Sequence, residues 1–315
     1  MRAVLAKWGQ QFAEAPLQQL TAKVWRVEYG SEAYTLKRRA DHATVWEEYN
    51  LLTWLKERGL PVLPPILSQD NVPWAHYGGE VYVLYPYVEG SPGNEVAPTD
   101  LEKAKALGAF LARLHAAMAD YPRADEFPSQ NLYTEVISWA WPTVRRGISG
   151  DLRNRLEDIG ESISECANLY DGLPRQLIHR DAHPGNVIFV GDEVVGMLDF
   201  TMARTEARIF DLCYCATAVL SSCFEEPVRE CWDLFVQELI RSYTAAYPLT
   251  RWEGYAFVYV AYMIQVLFAA YFFDLGLDNR AAENMAVLAW LHDRQSILEP
   301  LIDRIISSRE DRTHE

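Results

Sequence analysis

Leu177-Ile178-His179-Arg180-Asp181-Ala182-His183-Pro184-Gly185-Asn186 is followed by Val187-Ile188-Phe189-Val190, by Gly191-Asp192, by Glu193-Val194-Val195-Gly196-Met197-Leu198, and then by Asp199-Phe200. Two apolar runs flank a Gly-Asp pair, so residues 187–198 read as a hairpin. Asn186 precedes the first strand and Asp199 follows the second. A two-residue turn makes Val190 face Glu193 and Asn186 face Met197. A three-residue loop makes Asn186 face Leu198. In either register Asp199 stands one or two places from the residue opposite Asn186, and such cross-strand or diagonal neighbours lie roughly 5–8 Å apart. A single ion could reach both side chains. A carboxylate and an amide oxygen suit Mg²⁺, with phosphate oxygens and water completing the shell. Asp181 lies on the loop entering the hairpin, where a carboxylate could orient a hydroxyl nucleophile and accept its proton.

Working toward the N-terminus, residues 24–28 and 33–37 are rich in strand formers, and Tyr29-Gly30-Ser31-Glu32 supplies a turn between them. Thr44-Val45-Trp46-Glu47 reads as a capping box opening a helix that runs to about Arg58, with Gly59 as its stop and Pro61 beyond. Glu48 shares the face of Leu51, Leu52 and Leu55. A carboxylate on a buried face needs a partner, and Lys37 is the nearest basic candidate in sequence. Residues 81–85 form another strand, broken by Pro86 and then by Glu89-Gly90-Ser91-Pro92-Gly93. The domain boundary is placed there, giving domains of residues 1–90 and 91–315. Thr99-Asp100-Leu101-Glu102 reads as a second capping box, and most of the remaining chain is helical. The class is α+β, a small sheet-bearing domain followed by a larger helical one.

The chain has 315 residues, half of them hydrophobic, with a net charge of −15 whose acidic excess falls almost wholly beyond residue 90. No basic footprint for nucleic acid is present. The acidity reads as solubility, or more sharply as a field that attracts a cationic substrate. The five cysteines form no Cys-x-x-Cys pair and read as reduced core thiols. Residues 1–10 hold no apolar signal core, which points to the cytoplasm. Residues 254–273 carry no formal charge and are long enough to cross a bilayer. Gln265 and four tyrosines interrupt the run, and Glu253 and Asp274 flank it. These features favour a buried core helix over a membrane span. Trp139, Trp141, Trp252 and Trp290 read as core packing.

His179-Arg180-Asp181, four residues and then Asn186 resembles the catalytic loop of the protein-kinase superfamily, with Asp199-Phe200 in the place of its magnesium-binding Asp-Phe-Gly. The wording His183-Pro184-Gly185-Asn186 is closer to the aminoglycoside phosphotransferase-like, choline-kinase-like and homoserine-kinase-like small-molecule kinases. This resemblance covers about residues 20–215. It implies a two-lobed protein-kinase-like fold, with a small antiparallel-sheet N-lobe and a large, mostly helical C-lobe. It implies ATP and Mg²⁺ as cofactors and transfer of the γ-phosphoryl group to a small-molecule hydroxyl. Asp181 would be the catalytic base, and Asn186 and Asp199 the metal ligands. Lys37 would hold the α/β-phosphates, with Glu48 paired to it. The stretch 81–90, with Tyr85 and Tyr87, would be the hinge and linker meeting the adenine. His179 and His183 would shape the loop, and Asp211 would anchor it. Glu206, Asp274 and Asp278 are acidic candidates for a cationic acceptor, alongside Glu225, Glu226 and Asp293. No G-x-G-x-x-G precedes Lys37, and Thr201 replaces the Gly of Asp-Phe-Gly. The rival class is a nucleotide-binding regulatory protein of the same fold with little or no transfer.

Overall fold

A computed structural model describes residues 1–147 and 151–310. The chain forms two compact units. Met1–Pro92 and Val187–Thr201 make the first; Gly93–Asn186 and the chain from Met202 onward make the second. A boundary near residue 90 leaves out one feature: the hairpin segment 187–201 returns to the first unit. There its strand pairs with Ser91–Pro92, and Met197 bridges to Val62.

The first unit carries a five-stranded antiparallel sheet of β1 (Leu17–Thr21), β2 (Val24–Tyr29), β3 (Glu32–Arg39), β4 (Ala75–Tyr77) and β5 (Glu80–Pro86), in the order β1-β2-β3-β5-β4. β1 escaped the sequence reading because Gln18 and Gln19 interrupt its alternation, as an exposed edge strand allows. Successive residues of β3 and β5 point to opposite faces. Leu36, Tyr82 and Leu84 pack with Val4, Leu5, Trp8 and Phe12 of the N-terminal segment. Val83 and Tyr85 pack with Val45 at the start of α1 (Val45–Glu57). Leu51 and Leu55 of α1 are fully buried, each contributing about 2 kcal/mol by leaving water.

The predicted capping boxes do not form. Thr44 is the N-cap of α1, yet its side chain makes no cap bond. At the second position, the Asp100 carboxylate turns back to accept the Ala97 N–H at 3.0 Å.

The hairpin is β8 (Val187–Val190) and β9 (Glu193–Met197), joined to β6 (Ser91–Pro92). Gly191 takes a positive φ of 60° in the two-residue turn, and Val190 faces Glu193. A bulge between Ile188 and Phe189 then shifts the register, so Val187 faces Met197. The short turn thus coexists with the register expected of the longer loop.

The second unit holds the antiparallel pair β7 (Arg175–Ile178) and β10 (Arg204–Ala207). Its main helices are α2 (Leu101–Ala119), α3 (Ile209–Ser222), α4 (Trp232–Ala246), α5 (Arg251–Asp274), α6 (Asp278–Asp293) and α7 (Gln295–Glu310). α2 and α4 approach closely at Gly108, where a Cβ would run into the Leu239 carbonyl. α5 is long and apolar enough to cross a membrane, but 72% of its most apolar window is buried inside the structure. Its start has the capping box the sequence reading did not find: Thr250 accepts the Glu253 N–H, and Glu253 accepts the Thr250 N–H. The cysteines are free thiols, Cys166, Cys213 and Cys215 being buried. Trp252 is 63% exposed at the start of α5, so it is not a core residue.

Candidate active site

In the first unit, strand alternation puts Thr35, Lys37 and Arg39 on the face of β3 shared with Val83 and Tyr85 of β5. A cavity of about 250 Å³ opens there, with Lys37, Glu48, Tyr85, Tyr87 and Asp199 among its lining residues. The Lys37 ammonium lies 3.5 Å from the Asp199 carboxylate. Asp199 takes a positive φ of 63°. A non-glycine residue held there is strained, and such strain gathers at functional sites.

Glu48 is not paired with Lys37. Its carboxylate accepts from Arg39 at 2.8 Å and from the Tyr85 hydroxyl at 3.0 Å. The reason is geometric: Arg39 is two residues beyond Lys37 on the same strand face, and one guanidinium nitrogen reaches both the Glu48 carboxylate and the Tyr85 hydroxyl. Glu48 is 4% exposed, so these two partners stand in for the water it loses. Burial alone would lower the Arg39 pKa, but Glu48, Tyr85 and Asp199 together more than offset it and the net shift is upward. Burial and Glu48 both push the Tyr85 phenol well above the ordinary range. Tyr87 packs under the Arg26 guanidinium, and its backbone N–H is given to the Ala33 carbonyl.

In the second unit, the loop after β7 is pinned from beneath. Asp211, fully buried on α3, accepts the backbone N–H groups of His179 and Arg180, both at 2.9 Å. His115 of α2 meets the same carboxylate at 3.0 Å and the Tyr243 hydroxyl at 2.8 Å. Arg180 adopts a positive φ of 67°. Its guanidinium pairs with Glu135 at 2.9 Å and lies over the Phe210 ring. The His179 ring accepts the Asp181 N–H, and the His183 ring accepts the Gly185 N–H. A Cβ on Gly185 would meet the His183 ring at 2.7 Å and strike the Asn94 side chain, so glycine is required. The Asn186 amide nitrogen donates to the Asp181 backbone carbonyl and to its carboxylate at 2.8 Å, so the amide oxygen is the group left to act as an acceptor. Tyr214 of α3 abuts Asp181; burial and that charge raise its phenol pKa.

The same unit holds a cavity of about 1020 Å³, lined by His183, Tyr214, Gln265 and Phe268 among others. Of the acidic candidates, Glu225 lines it. Glu206 does not: it is fully buried and held by Tyr170 at 2.9 Å, Arg175 at 3.1 Å and the Ala207 N–H at 2.8 Å. Asp274 accepts the Trp139 indole N–H at 3.0 Å, and Asp278 opens α6; neither lines the cavity. Arg39 and Tyr214 escaped the sequence reading. Arg39's signal was its i, i+2 position after Lys37; Tyr214's was one turn of helix after Asp211.

The sequence pattern of the phosphotransferase enzyme family matches residues 14–256. Homoserine kinase of Methylocella silvestris is 29% identical over 194 residues, covering 60% of this chain and 56% of that enzyme. Homoserine kinase of Methylobacterium nodulans is 31% identical over 204 residues, covering 63% and 59%. The match spans under two thirds of the length of those relatives. Among solved structures, an aminoglycoside phosphotransferase from Alicyclobacillus acidocaldarius matches with a TM-score of 0.74 at 17% identity, over 97% of this chain and 96% of that one. A microcompartment-associated aminopropanol kinase matches with the same TM-score and identity, over 95% and 98%. At such identity the structures speak for the fold: α+β, with a small sheet lobe and a large helical lobe. Since the family pattern runs through most of the chain, from the sheet through the loop at Asp181 and into α5, this protein belongs to the phosphotransferase enzyme family.

Proposed function

We propose that this chain transfers the γ-phosphoryl group of ATP to a hydroxyl of a small molecule. The observation that carries the reading is the Lys37–Asp199 pair on the wall of the first cavity. A cation and a carboxylate at this spacing are the two charges that a metal-bound triphosphate exchanges for its own. Lys37 would hold the α/β-phosphates. Asp199 and the Asn186 amide oxygen are the metal ligands of the proposal; Asn186 directly precedes β8, whose partner strand ends two residues before Asp199. Their donors are all oxygen, which fits Mg²⁺. Among the described residues no cluster of three or more His, Cys, Asp or Glu could hold a metal unaided; in the proposal, nucleotide oxygens would complete the shell. Bound Mg²⁺ would neutralise charge on the transferring phosphate.

Asp181 orients the acceptor hydroxyl and takes its proton as the oxygen attacks the γ-phosphorus and the bond from that phosphorus to the β,γ-bridging oxygen breaks, releasing ADP. Asn186 and the Asp211-anchored backbone keep that carboxylate in place, so positioning supplies much of the acceleration. With the Tyr87 N–H given to Ala33, the linker beyond it, Val88 to Gly90 on the cavity wall, is left to meet the base. An ATP-consuming reaction of this kind suits the cytoplasm.

The relatives' substrates make hydroxylated amines the first acceptors to try. The test incubates wild-type protein and Asp181→Asn with ATP, MgCl₂ and homoserine, 1-amino-2-propanol or hygromycin B, and reads product mass. A mass gain of one phosphate, absent from the variant, supports the proposal. ATP consumed with no phosphorylated product from any acceptor favours the regulatory alternative.

A further inference from the structure

Three helices each give one stripe to the cavity of the second unit. Tyr214, Thr217, Ala218 and Ser221 come from α3, and Gln265, Phe268 and Phe272 from α5. Arg280, Glu283, Asn284 and Val287 come from α6. The spacings of three, four and seven residues are those of single helix faces. Tyr214 stacks on Phe268 with ring centroids 5.1 Å apart, and His183 of the catalytic loop closes that end. The aromatic wall therefore begins beside Asp181 and continues along α5 to Gln265, one turn away from Phe268.

Gln265 is the anomaly of α5. It is 2% exposed in a helix that is otherwise apolar through its centre, and its side-chain oxygen is buried without a hydrogen-bond partner. Folding gains nothing from such a group, because a buried acceptor left unmatched is destabilising and a Met or Leu would fill the space. A ligand donor arriving in the cavity satisfies it.

We infer that Gln265 is a specificity-determining residue of the phosphoryl-acceptor site, its amide oxygen accepting an N–H or O–H of the acceptor other than the hydroxyl that is phosphorylated. This rests on the phosphotransfer reading above. The substrate class is then an alcohol with at least one further donor, ammonium or hydroxyl, whose body lies against the Tyr214–Phe268 wall. A site built to receive a donor rejects an analogue lacking it far more strongly than a hydrophobic pocket rejects a missing methylene.

The test compares the wild-type protein with Gln265→Met and Gln265→Glu. Ligand-free melting comes first. Gln265→Met is expected to melt at or above the wild-type temperature, by up to about 2 °C, since it removes an unmatched buried group. A melting temperature several degrees lower would make Gln265 a structural residue and overturn the inference. Kinetics follow, with homoserine, 1-amino-2-propanol and hygromycin B, and with 4-hydroxybutyrate and 2-propanol as analogues lacking the amine. Gln265→Met should raise the acceptor KM by at least about tenfold, with kcat and the ATP KM nearly unchanged. Equal acceptor KM in the two proteins overturns the inference. Gln265→Glu separates the two donors: it keeps or tightens binding of an ammonium-bearing acceptor and weakens one that offers only a hydroxyl. The two readings fail separately. Absence of transfer by wild-type protein to every probe counts against phosphotransfer, and the melting comparison still judges Gln265.

Discussion

The two cavities handle charge in opposite ways. In the sheet unit every charge named on the wall already has a partner: Lys37 with Asp199, and Glu48 with Arg39 and Tyr85. In the helical unit the wall carries Glu225, Glu283 and Arg280, which are exposed, and a buried amide oxygen with no partner. Under the phosphotransfer proposal, the difference follows from what each cavity must recognise. A nucleotide triphosphate is a constant ligand, so its counter-charges can rest against one another and be exchanged on binding. An acceptor must be told from its analogues, and a group that is already satisfied cannot discriminate. Paired charges therefore mark the common step, and the unmatched amide marks selection.

Breaking the sheet-unit cavity should have the largest effect. Asp199→Ala is expected to remove metal-dependent turnover, as should excess EDTA on wild-type protein, with activity returning when MgCl₂ is added back; steady-state ADP release measures both. Turnover persisting in the variant would detach Asp199 from the chemistry. Asp181→Asn should lower kcat by at least about a hundredfold while the nucleotide KM stays near wild type, because only the proton acceptor is lost. Lys37 and Arg39 then separate function from fold within one strand face. The Lys37–Asp199 pair is 24% and 40% exposed, and an ion pair that open contributes less than about 1 kcal/mol. Lys37→Met should leave urea stability almost unchanged and weaken nucleotide binding. Arg39→Met strands the buried Glu48 carboxylate and should cost about 3 kcal/mol of stability. Equal losses of stability in the two variants would erase the distinction between an exchangeable pair and a structural one.

Much of the sheet-unit site could be read from the sequence because it is local. The Gly191 turn, the apolar runs beside it and Asp199 just after them lie within one short stretch, and strand alternation does the rest. What could not be read depends on contacts between distant segments. Glu48 required a basic partner, but proximity in sequence could not choose between Lys37 and Arg39; the reach of the side chain did. The boxes at Thr44 and Thr99 had the right residues, yet Asp100 became the N-cap of the second helix and its carboxylate turned to Ala97 instead. The box at Thr250 went unseen although its Glu253 also forms a buried pair with Arg208 at 2.6 Å. Gln265 was visible as a polar break in an apolar helix, and its pattern argued against a membrane span. That it faces a cavity depends on how α3, α5 and α6 pack, which no single helix encodes. The hairpin register turned on one bulge opposite Ile188 and Phe189, where the extra residue Val195 of β9 reverses the expectation from turn length.

Glu206 gives the finest test of the comparison, because acidic composition suggested it as an acceptor ligand and packing gives it another role. It lies against Tyr170 and Arg175, outside the cavity wall, and burial raises its carboxyl pKa above the ordinary value of 4.5, the nearby arginines and the Ala207 N–H offsetting this only in part. The folded state then holds this proton more tightly than the unfolded chain does. Its contribution to stability is full below the unfolded pKa and is lost as pH rises through the raised folded value. Glu206→Gln cannot titrate, so the stability of wild-type protein relative to this variant should decline as pH is taken from below 4.5 toward neutrality. Urea midpoints for both proteins across that range measure the slope. The acceptor KM should be the same in both, since the carboxylate does not line the cavity. A shifted acceptor KM with a flat stability difference would return Glu206 to substrate recognition, and burial with pairing would no longer distinguish the groups that serve the fold from those that serve the ligand.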